Sequence, residues 1–142
     1  MIALSGYIAA VMRRRFAYGE LDCCTFMADW LMRCGFPDAM ADRRGAYATR
    51  AEYEALIASE GGIVRSCRRR FAALGLKRVR QAMPGDVCLV RAPILAGAGG
   101  GVVYGPTGAI ALSERLRAVV TIDLGLVGAE LEVVQAWRVA HA

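Results

Sequence analysis

One stretch constrains the fold more than any other: Phe16-Ala17-Tyr18-Gly19-Glu20-Leu21-Asp22-Cys23-Cys24-Thr25-Phe26-Met27-Ala28-Asp29-Trp30. An aromatic-glycine turn leads into an Asp-Cys pair. Cys23, Phe26, Met27, Trp30, Leu31 and Cys34 then recur at i, i+3, i+4, i+7, i+8 and i+11, one stripe of a 3.6-residue period. Asp22 is a good N-cap, because its carboxylate can accept from the free amides of the first turn. Cys23 is then the first helical residue, at the positive end of the helix dipole. That position favours thiolate, the nucleophilic form of cysteine. The same stripe also fits Cys23 as a small buried hydrophobe.

The flanking chain reads as helices first and strands second. Leu4, Ile8, Val11 and Met12 predict a helix over residues 4–15, with Arg13-Arg14-Arg15 in its last turn, where cations suit the dipole. The cysteine helix should end near Cys34, with Gly35 as its cap and Pro37 blocking continuation. Residues 38–48 are polar and read as a loop. Thr49-Arg50-Ala51-Glu52 is a capping box opening a helix with Tyr53, Leu56 and Ile57, closed by Gly61-Gly62. Ile63, Val64, Cys67, Phe71 and Leu74 make a further stripe, with Arg65 and Arg68-Arg69-Arg70 on the solvated face. After Gly75 the period changes. Residues 76–80 read as a short edge strand, Met83-Pro84-Gly85-Asp86 as a turn, and residues 87–90 as an apolar strand. Residues 96–101 are glycine-rich. Residues 102–104 read as a strand, Gly105-Pro106-Thr107-Gly108 as a hairpin turn, and residues 109–112, 118–122 and 131–139 as further strands. The expected class is α+β, one domain over residues 1–142, with four to six antiparallel strands packed on the cysteine helix.

Composition narrows the function classes. The net charge is +5, and Lys77 is the only lysine, so the charge is carried by arginine. Arginine suits interface ion pairs and stacking. A basic nucleic-acid-binding domain is the third reading; it rests on charge alone, with no binding motif beside it. Five cysteines, two of them adjacent, do not form a disulfide framework, and there is no C-x-x-C pair. With His141 as the only histidine, neither a zinc site nor another metal or cofactor is expected. The N-terminal apolar run precedes its positive charges, the wrong order for a signal peptide, and no run reaches membrane-spanning length. Synthesis in the bacterial cytoplasm is therefore expected.

Two stretches together resemble the NlpC/P60 cysteine-peptidase superfamily, a small papain-like fold. They are Tyr18-Gly19 followed by Asp22-Cys23, and Pro84-Gly85-Asp86-Val87 followed by Gly101-Val102-Val103-Tyr104-Gly105. Ala136-Trp137-Arg138-Val139 looks like phage-encoded relatives. The resemblance implies Cys23 as nucleophile, Cys24 in the place of a small residue, and a cleft to which Tyr18, Asp22 and Arg91 contribute. The histidine base of the family falls near Gly99 here, and Ser113 is the only polar residue near the third catalytic position. His141 is the remote alternative base. A cysteine peptidase needs a base within about 3 Å of its sulfur to take and return a proton. The leading expectation is thus a phage, prophage or gene-transfer-agent tail protein of peptidase descent, located in the virion tail. Its partners would be other tail or baseplate proteins. The alternative is an active peptidoglycan hydrolase acting on stem peptides, its base supplied by His141 or a partner chain.

Overall fold

Asp22 starts the helix on which the rest of the molecule packs. In the computed structural model, residues 3–95 and 102–139 are described; Gly99, the rest of the 96–101 stretch and His141 lie outside them. The Asp22 carboxylate accepts from the amides of Cys24 and Thr25, both at 3.0 Å, and the Thr25 hydroxyl accepts from the Asp22 amide at 2.8 Å. This capping box opens α2 (Cys23–Arg33). The helix closes where Gly35 donates to the Met32 carbonyl and Phe36 to the Leu31 carbonyl, a glycine-terminated reversal as expected.

Three other helices among the described residues flank it: α1 (Leu4–Met12), α3 (Arg50–Ser59) and α4 (Ile63–Ala73). Among the described residues six strands follow: β1 (Lys77–Val79), β2 (Val87–Leu95), β3 (Val102–Ala111), β4 (Leu116–Thr121), β5 (Gly125–Glu130) and β6 (Val133–Arg138). They form one antiparallel sheet in the order β1-β6-β2-β3-β4-β5. The class is α+β, helices before strands.

Strand alternation divides the sheet into two faces. Val87, Leu89, Ile110, Ala118, Val120 and Trp137 meet the helices, while the small residues Cys88, Ala92, Ala109, Ala111 and Ala136 cluster on the other face with Val90 and Val119. α2 is tied to this core on two sides. Tyr7 of α1 stacks on Phe26 and donates to its carbonyl at 2.6 Å. Trp30 donates to the Gly85 carbonyl at 2.7 Å, joining α2 to the turn before β2. Asp86, fully buried in that turn, accepts from the Met83 and Val139 amides and from Arg138 Nε, all at 2.9 Å. The Gly-Asp turn therefore ties the start of β2 to the end of β6.

Four expectations need correction. The first helix ends at Met12, and Arg13-Arg14-Arg15 lie beyond its last turn. Val11 is the last buried position of its stripe and Met12 is exposed, so no apolar contact holds a further turn. Gly105-Pro106-Thr107-Gly108 is not a hairpin turn but the middle of β3. β4 pairs with β3 only at Ile110 and Ala111, so Pro106 has a strand neighbour on one side only, where proline is tolerated. β5 was not anticipated, because Gly-Leu-Val-Gly-Ala-Glu has no apolar–polar alternation. Arg70 is not on the solvated face of α4; it is buried against the 38–48 segment, as described below.

Candidate active site around Cys23

Cys23 sits where the N-terminus of α2 meets β3. Its neighbour on the sheet is Gly108, and a Cβ at that position would collide with the Cys23 carbonyl oxygen and the Met27 methyl. Only glycine lets the helix start approach the strand this closely. Among the described residues the half-buried Cys23 sulfur has two side-chain partners: the Tyr53 hydroxyl of α3 at 3.3 Å and the Cys24 sulfur at 4.0 Å. Tyr53 also reaches Cys24 Sγ at 3.7 Å.

These contacts make the two thiols unequal. Donation from Cys24 is the largest influence on Cys23 and lowers its pKa. Burial and the Asp22 charge oppose that shift, but hydrogen bonds from Tyr53 and the Gly108 main chain add to it, and the net direction is down. The positive end of the α2 dipole acts in the same sense. Cys24 keeps its proton: it donates toward Cys23, and burial reinforces the rise in its pKa. Burial, and then the proximity of both sulfurs, push the Tyr53 phenol far above its ordinary value. Tyr53 thus stays protonated at neutral pH. It can donate to a thiolate but cannot take a proton from a thiol.

The family-inferred cleft residues divide sharply. Asp22 is not an available acid or base. It is buried, and beyond its two cap bonds it accepts from the Gly19 amide at 2.9 Å and the Tyr47 hydroxyl at 2.5 Å. Gly19 makes this possible: it adopts φ +78°, and any Cβ there would strike the Tyr47 carbonyl oxygen. Tyr18 does reach the site. Its ring lies 5.6 Å from that of Tyr53 and 4.8 Å, edge-on, from Phe16, and burial raises its pKa. Arg91 pairs across β2–β3 with Pro106, one step along the same face from the Leu89–Gly108 pair, and is exposed. Ser113 is elsewhere. Its hydroxyl accepts from the Arg115 and Leu116 amides and forms the turn into β4. Gly99 and His141 lie outside the described residues. Among those residues no group of three or more His, Cys, Asp or Glu side chains is arranged to hold a metal ion, and no helix is long and apolar enough to cross a membrane.

Sequence reasoning placed Tyr53 on a helix but not in the site. The only signal was the run of tyrosines 18, 47 and 53, whose rings cluster over the start of α2. It also missed a charged cluster behind Cys24. Arg43, wholly buried in the segment read as a loop, donates to Glu60 at 2.7 Å and to the Ser66 hydroxyl at 2.7 Å. Arg70 makes paired bonds to Asp42 at 2.6 and 2.8 Å, and further bonds to Glu60 and to the Ala39 carbonyl. Chemically, the site offers an acidified thiol and hydroxyl and amide donors around it.

A family model described as "Domain of unknown function (DUF6950)" matches residues 2–139, and the chain belongs to that family. Neither the curated proteins nor the solved structures contain a match to it.

Proposed function

We propose that this member of the DUF6950 family is a papain-like domain of NlpC/P60 descent that serves as an assembly and interaction component of a phage, prophage or gene-transfer-agent tail. The observation that carries the reading is the Cys23 environment. A nucleophile position at a helix start is pressed against the central sheet, and among the described residues the side chains touching its sulfur are a tyrosine and a second thiol. A tyrosine held protonated supports hydrogen bonding. It does not support the proton shuttle by which an amide is cleaved and its amine released. The arginines favour the interaction side of this reading over nucleic-acid binding, because Arg43, Arg44, Arg70 and Arg138 spend their charge on carboxylates of the same chain. Arginine is also the cation suited to protein interfaces.

The test is incubation of wild type and Cys23→Ala with purified peptidoglycan, reading released stem peptides. The expected result is no Cys23-dependent release; such release would overturn the reading. The tail assignment is tested separately, by protein composition of purified particles. A particle that lacks the chain and assembles its tail without the gene removes it.

The lowered Cys23 pKa favours a second reading, an active peptidoglycan peptidase whose base comes from His141 or a partner chain. Under that reading His141→Ala, or separation from the partner, abolishes a release that Cys23→Ala also abolishes.

A further inference from the structure

Among the described residues the sheet has two open edges, and they are built differently. β1 is three residues long, Lys-Arg-Val, with both basic residues exposed. A short, charged edge discourages strand addition. β5 has six residues, Gly-Leu-Val-Gly-Ala-Glu, and among the described residues it pairs only with β4. It has no lysine, arginine or proline, and its one charge stands at the last position. The turn before it exposes Ile122 at 61% and Leu124 at 77%. An unpaired edge of this composition is a template for another strand.

Charge placement selects the occupant. At its start, β5 lies beside the turn after α1: a Cβ on Gly125 would stand 3.9 Å from the Arg14 carbonyl oxygen. That turn carries Arg13, Arg14 and Arg15. Arg14 pairs with Asp29, while Arg13 and Arg15 are exposed with no ion-pair partner among the described residues. The far end of β5 is acidic, with Glu130 and then Glu132, both exposed and without an ion pair among the described residues. Glu130 shares its sheet face with Leu126, which packs on the helical side, the side on which α1 lies. A two-fold axis perpendicular to the sheet pairs β5 antiparallel with its own copy and keeps each face on its own side. It sets Glu130 and Glu132 of each copy against the Arg13 and Arg15 turn of the other, a pairing that exposed Asp123 before β5 and Arg115 beside Glu130 offset in part, and brings exposed Leu124 toward Glu130 and Leu131 of the second copy. The edge is thus complementary to itself, as an isologous contact requires.

We propose that β5 is the interface of a symmetric homodimer, in which two sheets join edge to edge through antiparallel β5 strands. The proposal stands apart from whether Cys23 is active.

Sedimentation velocity of the full chain over a wide concentration range tests it. The expected result is a reversible monomer–dimer equilibrium that weakens as salt screens the end-to-end charges. Gly128→Lys places two like charges near the axis and raises the dimer Kd by at least about tenfold. A side chain fits there, since its Cβ would meet nothing closer than Leu112 Cδ1 at 3.6 Å. Glu130→Arg weakens the dimer, and adding Arg13→Glu with Arg15→Glu restores it, which misfolding cannot imitate. A monomer at every concentration overturns the proposal and leaves the edge to a different chain. A dimer indifferent to Gly128→Lys and Glu130→Arg also overturns it, as does failure of the charge-reversed set to recover.

Discussion

The surroundings of Cys23 and the Arg43 cluster lie close together, and both are dense in ionisable side chains, but they work in opposite ways. Around Arg43 each charge is committed to another: Arg43 to Glu60, Arg70 to Asp42 and Glu60, with Ser66 between them. Around Cys23 no cation among the described residues neutralises the sulfur. Its partners are donors that favour the thiolate, and the nearest carboxylate, Asp22, is used up capping α2 and holding Tyr47. Density of titratable groups therefore does not mark the reactive place. What marks it is a sulfur set among donors, and among the described residues that sulfur belongs to Cys23.

The largest expected effect breaks the structural side of the comparison. Arg43→Ala empties a wholly buried site and takes the main partner from half-buried Glu60, which keeps Arg70, and should cost about 3–4 kcal/mol, read by urea unfolding. A loss under about 1 kcal/mol would show that the cluster is not what holds residues 38–48 against α4. Next, Asp22→Ala removes the α2 cap and orphans the buried Tyr47 hydroxyl, at a cost of about 3 kcal/mol. Asp22→Asn should cost less, because an amide oxygen can keep part of the cap.

Acid comes third. Paired bonds from Arg70 hold the Asp42 carboxyl down from 3.8 to about 2. Burial alone would raise Glu60, but bonds from Arg43 and Ser66 outweigh it and take the carboxyl from 4.5 to about 2. Both pKa values are depressed in the folded state. Their contribution is thus fully present above the ordinary carboxylate values and is lost as pH falls through that range toward about 2. Stability measured against pH should drop in this window, and Glu60→Gln should flatten the drop. Asp42 contributes less of it, since its side chain is 68% exposed and screened by solvent.

The smallest expected effect lies at the thiol. Tyr53→Phe removes one donor to Cys23, so the midpoint of thiol labelling against pH should move upward, with stability changed by about 1 kcal/mol or less. An unmoved midpoint would mean that Cys24 and the helix start alone set the acidity. Cys23→Ala run in parallel assigns the labelled sulfur.

Much of the frame was legible. The stripe from Cys23 to Leu31, the Asp22 cap, the Gly35 reversal, the Thr49 cap and the order of helices before strands all arise within a few residues of chain. Proline and glycine misled at 105–108, where their turn chemistry is the usual reading. A strand with one open side accepts Pro106, and close packing on α2 demands Gly108. β5 was hidden because its pattern does not alternate, and its pairing with β4 supplies the order that its own residues do not.

What the sequence determined by itself is that a cysteine stands first in an amphipathic helix behind an aspartate cap. Capping and periodicity are short-range, and they survive whatever the distant chain does. Tertiary structure alone decided what that cysteine touches. Tyr53 lies 30 residues away on another helix, Gly108 lies on the third strand, and Arg43 is buried although its segment looks like an exposed loop. No local propensity encodes those meetings. They follow from how α2, α3 and the sheet pack, and they make Cys23 an acidified thiol among donors.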